Sequence, residues 1–147
     1  LEEPFLGGRL PLPTNPGEWL PNVLRTWGPP ARTLWLMHEP PAGTLLSEPD
    51  TPVAGNLEWN EAIEEHQPLL TVSGHDHHSP VRNRCWAVRM GATWALNLGQ
   101  STAGPLHHAV IEAEFQWSRA SLPRFITVTA YPWNEVLEID PAVSPRG

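Results

Sequence analysis

The sequence predicts a mixed α/β domain that is rich in strands and contains two short helices. Two short apolar runs, 33–37 and 69–73, have the length of buried strands, and each is followed by a histidine-containing turn. Between them, segment 56–66 carries apolar residues at helical spacing. Beyond residue 84, segments of strand-like composition follow one another, several with alternating apolar and polar residues. These three observations together indicate a domain with helix and sheet packed against each other.

The beginning of the chain is expected to differ from the rest. Residues 1–30 hold seven of the 18 prolines and are predicted to form a loop-rich lead-in, whereas 31–147 form the domain itself. Within the lead-in, one short helix is predicted at 17–27, with Asn15 as its N-cap and Pro16 in its first turn. The residues that recur there at spacing four are Trp19, Val23 and Trp27.

The next elements form a strand, helix and strand. After the strand at 33–37, a polar loop with two prolines is expected at 42–55. The helix at 56–66 should direct Leu57 and Ala62 inward, with Trp59 and Ile63 as further inward candidates, and a row of glutamates to water. The strand at 69–73 follows it.

The remaining chain is predicted to be β-structure. A hairpin is expected at 84–98, with Gly91 and Ala92 at its reversal. Alternating segments at 106–117 and 124–131 predict two longer strands, and 136–139 a last short one. The whole domain should therefore contain five to seven strands.

The histidines at the strand ends are the strongest indication of function. Segment 38–41 reads His-Glu-Pro-Pro, and segment 74–77 reads Gly-His-Asp-His. Open α/β sheets bind ligands at the carboxyl ends of their strands, and a neutral imidazole is a good ligand for Zn, Mn or Fe. In an extended segment His75 and His77 would point to one side and Asp76 to the other, while Gly74 would permit a close turn. His38 should join them from the neighbouring strand.

The order strand, His-x-Pro-Pro, helix, strand, Gly-His-x-His resembles the second half of a calcineurin-like metallophosphoesterase, over about residues 32–100. The resemblance implies a four-layer α/β/β/α sandwich and two divalent metal ions, Mn, Fe or Zn, that hydrolyse a phosphate-ester substrate. It further implies that His38 and His75 ligate one ion and that His77 ligates the other.

The other motifs of that family do not occur in this chain. Asp-x-His, Gly-Asp-x-x-Asp and Gly-Asn-His-Asp (or -Glu) are missing; Asn56 follows Gly55, but Leu57 and Glu58 come next. The chain alone is therefore expected to be catalytically incomplete, a portion of a longer polypeptide or the partner of a second chain. The alternative is a non-catalytic half-module that lacks a complete metal centre. A third reading is a mononuclear zinc hydrolase, for which Glu39 is the nearby candidate for the general base.

Composition excludes some classes of partner. The formal net charge is −7 and all nine basic residues are arginine, so no nucleic-acid surface is indicated. No apolar run approaches 18 residues, which argues against a membrane span, and a cytoplasmic protein is expected. The single cysteine, Cys85, is expected to be a buried apolar residue.

The remaining polar candidates are expected to have structural roles. For Asn97 and Gln100, turn capping explains the residues as well as a phosphate site does. The other histidines, which we expect to be exposed or structural, are His66, His78, His107 and His108.

The two apolar strands carry a further expectation. Strands 33–37 and 69–73 are apolar on both faces, as in parallel sheets covered on two sides. We therefore expect them to pair with further polypeptide. Trp35 and Trp94 are the residues that such a partner would cover.

Overall fold

The computed structural model describes residues 16–48, 55–101, 103–114 and 123–141. Among these residues, no helix combines the length and the apolar character that crossing a bilayer requires. In chain order the elements are α1 (Pro16–Trp27), a 3₁₀ turn (Pro30–Arg32), β1 (Leu34–Leu36), α2 (Leu57–His66), β2 (Leu70–Ser73), α3 (Ser79–Asn83), β3 (Ala87–Met90), β4 (Thr93–Asn97), β5 (His108–Glu114), β6 (Phe125–Tyr131) and β7 (Glu135–Ile139). The mixed α/β, strand-rich class is confirmed.

The strands form two sheets. The first has the order β1-β2-β4-β3, in which β1, β2 and β4 are parallel and β3 is antiparallel to β4. Helix α2 lies between β1 and β2 in the chain, as the crossover that joins two parallel strands must. The second sheet is an antiparallel meander, β5-β6-β7. As a result, the carboxyl ends of β1, β2 and β4 meet at one edge of the first sheet.

Each face of the first sheet has its own cover. Trp35 and Thr71 are register partners on one face, where Trp35 packs with Leu20 of α1 and Ile63 of α2. The neighbouring register position, Leu34 opposite Leu70, belongs to the other face. On that face the second sheet forms the main core with the first. Its fully or nearly fully buried members are Leu70, Trp86, Leu96, Ile126, Val128, Ala130 and Ile139.

A polar contact also links the two sheets. The indole N–H of Trp86, which precedes β3, donates to the Glu135 carboxylate of β7 at 2.6 Å. Within the described residues the layers are therefore helices, first sheet and second sheet. The fourth, outer helical layer of the predicted sandwich is not formed by these residues, and the full sandwich stays a prediction.

Strand β1 differs from the other parallel strands because it is an edge. Among the described residues it pairs only with β2, and its residues facing the second sheet, Leu34 and Leu36, are 45% and 79% exposed. The second sheet covers β2 and β4 but does not reach β1. The described residues therefore cover only one of the two apolar faces of β1.

Most predicted elements are found within one or two residues of their expected positions. The helix α1 is confirmed, and its predicted cap Asn15 lies outside the described residues, as do 49–54 of the predicted loop. Three expectations about the helices and their packing were wrong. A third helix, α3, follows the second histidine motif; its brevity, with Pro80 and a flanking histidine, left no apolar period to detect. Leu57 is 69% exposed at the first turn of α2.

The third error concerns Trp35. It was expected to need a partner for cover, but it is only 8% exposed. The reason is that α1 and α2 bring their own tryptophans onto it: Trp59 lies 6.2 Å from Trp35, and Trp19 lies 6.0 Å from Trp59, measured between ring centres. The exposed apolar groups of β1 are its leucines instead.

Candidate metal centre

Two of the three predicted ligands lie together. His38 follows β1 and His75 follows β2, so that adjacent parallel strands deliver both imidazoles to the same edge. Their ring centres are 4.7 Å apart and the rings are tilted by 58°. The strand ladder continues into the site, because the N–H of Gly74 donates to the carbonyl of His38 at 3.1 Å. The backbone pairing of the two strands therefore sets the distance between the two rings.

This separation suits two imidazoles on one ion. A metal–nitrogen bond of about 2.0–2.1 Å puts the ion roughly 3.2 Å from each ring centre, and a tetrahedral angle then separates the two centres by about 5 Å. His38 is exposed and His75 half-buried, so solvent reaches the pair. The observed 4.7 Å is compatible with shared ligation.

His77 does not complete a cluster with this pair. The expectation that His75 and His77 share a side assumed an extended segment, but His75 has φ +62°, and the N–H of Asp76 donates to the Gly74 carbonyl at 2.7 Å. This is a γ-turn centred on His75, in the rare form with positive φ. Strand alternation therefore does not apply across the motif, and His77 is exposed to solvent.

The close turn also falls on a different residue from the one expected. Gly74 was expected to make the turn, yet a Cβ there would lie 3.9 Å from the His38 carbonyl, which is ordinary contact distance. The unusual backbone conformation is that of His75 itself. Non-glycine residues held at positive φ cost free energy and gather at functional sites, so the surrounding contacts must hold His75 in place.

The side chain that holds this turn is Asp76. It is 1% exposed, and its carboxylate accepts hydrogen bonds from the N–H groups of His78 at 3.0 Å, Ser79 at 2.8 Å and Glu48 at 3.1 Å. The Ser79 hydroxyl adds a fourth at 2.5 Å. These four hydrogen bonds make Asp76 the anchor of the turn.

Asn97, at the end of β4, is a second anchor. Its amide donates to the carbonyls of Asp76 at 2.9 Å and Leu46 at 3.1 Å, and its oxygen accepts the N–H of Gly99 at 3.0 Å. Because it is 1% exposed and fully engaged, it acts in the turn and not as a phosphate ligand. Gly99, at φ +63°, brings its backbone so close to the His77 carbonyl that a Cβ would lie 2.7 Å from that oxygen.

Glu39, the candidate general base, is engaged by Asn56. The amide of Asn56 donates to the Glu39 carboxylate at 2.8 Å, while its oxygen caps α2 by accepting the N–H of Trp59 at 3.1 Å. The main chain of Asn56 also bonds to Pro40 and Ala42. The Gly55–Asn56 pair thus holds the 38–41 segment against the start of the crossover helix. The position of Asn56 directly before a helix could have indicated its role as an N-cap.

Within the described ranges, no three side chains of the His, Cys, Asp or Glu type come close enough together to hold a metal ion. The pair His38 and His75 fits as part of a ligand set, but a complete dinuclear set is not assembled from these residues. The ligand assignment of His77 therefore stays a prediction.

Three of the other histidines behave as structural groups. His66 ends α2 and contacts Trp35 edge to face at 6.2 Å. His107 bonds through Nδ1 to the Leu98 carbonyl at 2.9 Å, and His108 stacks on Tyr131 at 4.8 Å. None of these three approaches the His38–His75 pair closely enough to form a three-residue group.

Comparisons with protein-family models, with curated proteins and with solved structures found no match to this chain. The candidate centre is thus defined by its own geometry. Its features are the paired imidazoles, the γ-turn at His75 and the buried anchors Asp76 and Asn97.

Proposed function

We propose that this chain contributes histidine ligands to a metal centre that hydrolyses a phosphate ester, in the manner of a calcineurin-like metallophosphoesterase. The observation that carries the proposal is the 4.7 Å approach of His38 and His75 at the ends of adjacent parallel strands. Each motif follows one of the two strands of a strand–helix–strand unit, in the order that the resemblance requires. In the proposal these two residues hold one divalent ion, Mn, Fe or Zn, and His77 serves its neighbour.

The role proposed for this chain is to position the metal ligands. Metal ions held at such a centre would supply an activated water and neutralise phosphoryl charge. The chain's own residues orient the imidazoles. The β1–β2 ladder sets the His38–His75 distance, and Asp76 and Asn97 hold the 74–77 turn. Asn56 keeps Glu39 and the 38–41 segment against α2.

The proposal includes further polypeptide that completes the site. Support comes from β1, whose outer edge has no strand partner among the described residues and whose leucines are exposed. An added strand would continue the parallel sheet and could bring the missing carboxylates to the same edge. Such a partner would also extend the three observed layers toward a complete sandwich.

A second candidate function is a non-catalytic half-module that binds at most one metal ion. It is favoured by the incomplete ligand group, since His77 does not join the pair in the described part of the chain. The two candidates differ in whether added polypeptide creates turnover.

Metal binding tests the proposal directly. Isothermal titration with Zn²⁺ and Mn²⁺ should show that His38→Ala and His75→Ala each weaken binding by at least about tenfold, since loss of a mere outer-shell partner already has that effect. His108→Ala is the matched control, because that ring stacks on Tyr131 away from the pair. Equal affinity in all four proteins would contradict the proposal.

Turnover of the chain alone tests whether further polypeptide is needed. With added Mn²⁺ the chain alone should hydrolyse p-nitrophenyl phosphate and bis-p-nitrophenyl phosphate negligibly, because bridging carboxylates are missing. Robust metal-dependent turnover that disappears in His75→Ala would show that the chain is catalytically complete. In that case the need for a partner would be rejected while the hydrolase assignment would stand.

A further inference from the structure

A small cavity opens beside the second histidine motif. It has a volume of about 260 Å³ and is lined by His78, Val81, Arg82, Gln100 and Ser101. It lies next to His77, because the carbonyl of His77 accepts the N–H of Gln100 at 2.9 Å. This places it at the carboxyl ends of β2 and β4, the edge at which open α/β sheets bind ligands. We name it the Arg82 cavity.

The walls of the Arg82 cavity are fixed. The side chain of Gln100 donates to the Ser101 carbonyl at 3.0 Å and accepts the N–H of His107 at 3.1 Å. The Ser101 hydroxyl bonds to the backbone of Ala103. These groups therefore shape one wall, and the side chains left to contact a ligand through polar atoms are His78 and Arg82.

The opposite wall is held from below by the Asp76 anchor. Asp76 accepts the N–H groups of His78 and Ser79, and the N–H of Arg82 donates to the His78 carbonyl at 2.9 Å. Helix α3, which carries Arg82, thus has a set position relative to His77. A ligand held there would meet a preformed surface, which lowers the entropic cost of binding.

The charge of the cavity points to an anion. Arg82 brings a guanidinium to its mouth in a chain whose net charge is −7. The guanidinium forms an ion pair with Glu48, but the two side chains are 61% and 30% exposed. Exposed pairs of this kind contribute only about 0 to 1 kcal/mol to stability. An oxyanion can therefore compete with Glu48 for the guanidinium of Arg82. Arginine binds phosphate in a two-point fashion that suits its planar donors.

We propose that the Arg82 cavity binds a phosphate group through the Arg82 guanidinium and the His78 imidazole. The inference rests on the proposed function, because it assigns to this cavity a phosphate of the ester that the metal centre would act on. Its volume of about 260 Å³ is large enough for a phosphate group. Arg82 and His78 are then positioning residues for the substrate.

The test uses metal-free protein and inorganic phosphate. Phosphate is titrated in the presence of a chelator, and ¹⁵N-resolved shifts of the amides of 77–79, 81–82 and 99–101 report binding. Arg82→Gln should weaken binding by about tenfold or more, because the charged two-point contact is lost. Arg89→Gln is the matched control: it removes the same charge from β3, where Arg89 lies over Trp94, and should leave affinity within about twofold.

Two further variants sharpen the result. Glu48→Gln removes the competing carboxylate and should strengthen phosphate binding severalfold, whereas His78→Ala should weaken it. If Arg82→Gln and Arg89→Gln lower the affinity equally, the effect is one of net charge and the inference is overturned. Phosphate binding that is unchanged in Arg82→Gln overturns it as well.

The outcome is separable from that of the proposed function. Loss of phosphate binding in Arg82→Gln, together with no metal binding at His38 and His75, would support the cavity as an anion site and reject the metal centre. Metal binding at the pair, together with a phosphate affinity that is unchanged in Arg82→Gln, would reject the proposed phosphate site alone.

Discussion

The imidazole rings of His38 and His75 lie 4.7 Å apart, although they follow different strands of the first sheet. Their backbones are joined at the same level by the Gly74–His38 hydrogen bond. The contact is therefore a consequence of parallel pairing between β1 and β2, continued one step past the strands. A substitution that shifted this register would separate the rings without touching either histidine.

Asp76 should be important for stability. Asp76→Ala leaves the buried N–H of Ser79 and its hydroxyl without their acceptor, so the free energy of unfolding should fall by about 3 kcal/mol. Urea denaturation measures this as a lower midpoint at an unchanged slope. The control is Glu112→Ala, an exposed carboxylate on β5, which should stay within about 0.5 kcal/mol of the parent. Equal effects of the two changes would contradict the anchoring role.

Asn56 should act mainly through the cap of α2. Asn56→Ala removes the acceptor of the Trp59 N–H and should lower the free energy of unfolding by about 1 to 2 kcal/mol. Asn56→Ser retains a capping oxygen but lacks the amide group that donates to Glu39, so it should recover most of that loss. Thermal or urea unfolding compares the two variants. If serine were as destabilising as alanine, the Glu39 contact would be the dominant one.

The exposed leucine of β1 should promote association. We expect the isolated chain to self-associate or to bind a dye for apolar surfaces, because Leu36 is exposed on a strand whose outer edge has no partner among the described residues. Leu36→Glu should reduce both, since a charged edge residue opposes strand pairing. Leu106→Glu is the control, because Leu106 is 71% exposed but lies outside the strands. Size-exclusion chromatography with light scattering measures the result. A monodisperse 16.4 kDa parent with little dye binding would contradict the partner proposal.

Cys85 should make stability fall at alkaline pH. Burial raises the pKa of the Cys85 thiol, and the Glu135 carboxylate acts in the same direction. Above the ordinary thiol pKa, the unfolded chain loses this proton while the folded chain retains it. The unfolded state then binds fewer protons, and the free energy of unfolding decreases as pH rises until the folded thiol also ionises.

The measurement for Cys85 is the urea midpoint between about pH 7.5 and pH 10, across the ordinary thiol pKa of about 8.5. Cys85→Ala removes the titrating group and should show a smaller decrease over this interval. Alkylation of the native thiol should also begin at a higher pH than that of the urea-unfolded chain. Identical pH dependence of the parent and the variant would contradict the prediction.

Many of the elements were predictable because their signals are local. The helical period at 56–66 and the alternation of β5 and β6 reflect which residues face the core. The structure forms these three elements where the sequence predicts them. The positions of His38 and His75 at the ends of adjacent strands also follow from local pattern, since a strand–helix–strand unit favours a parallel pair. Helix α3 was missed because five residues contain too little periodicity to detect.

The sequence by itself determined the strand-rich α/β class, the order of the elements and the delivery of two histidines to one sheet edge. Only the tertiary structure decided that His77 does not join the pair, because contacts to Asp76 from residues as distant as Glu48 hold His75 in a γ-turn that local alternation does not predict. It also decided which face of β1 is covered: α1 and α2 bury Trp35, while the second sheet stops short of Leu36. Both results depend on packing between segments that are distant in the chain, which the local pattern of apolar and polar residues does not encode.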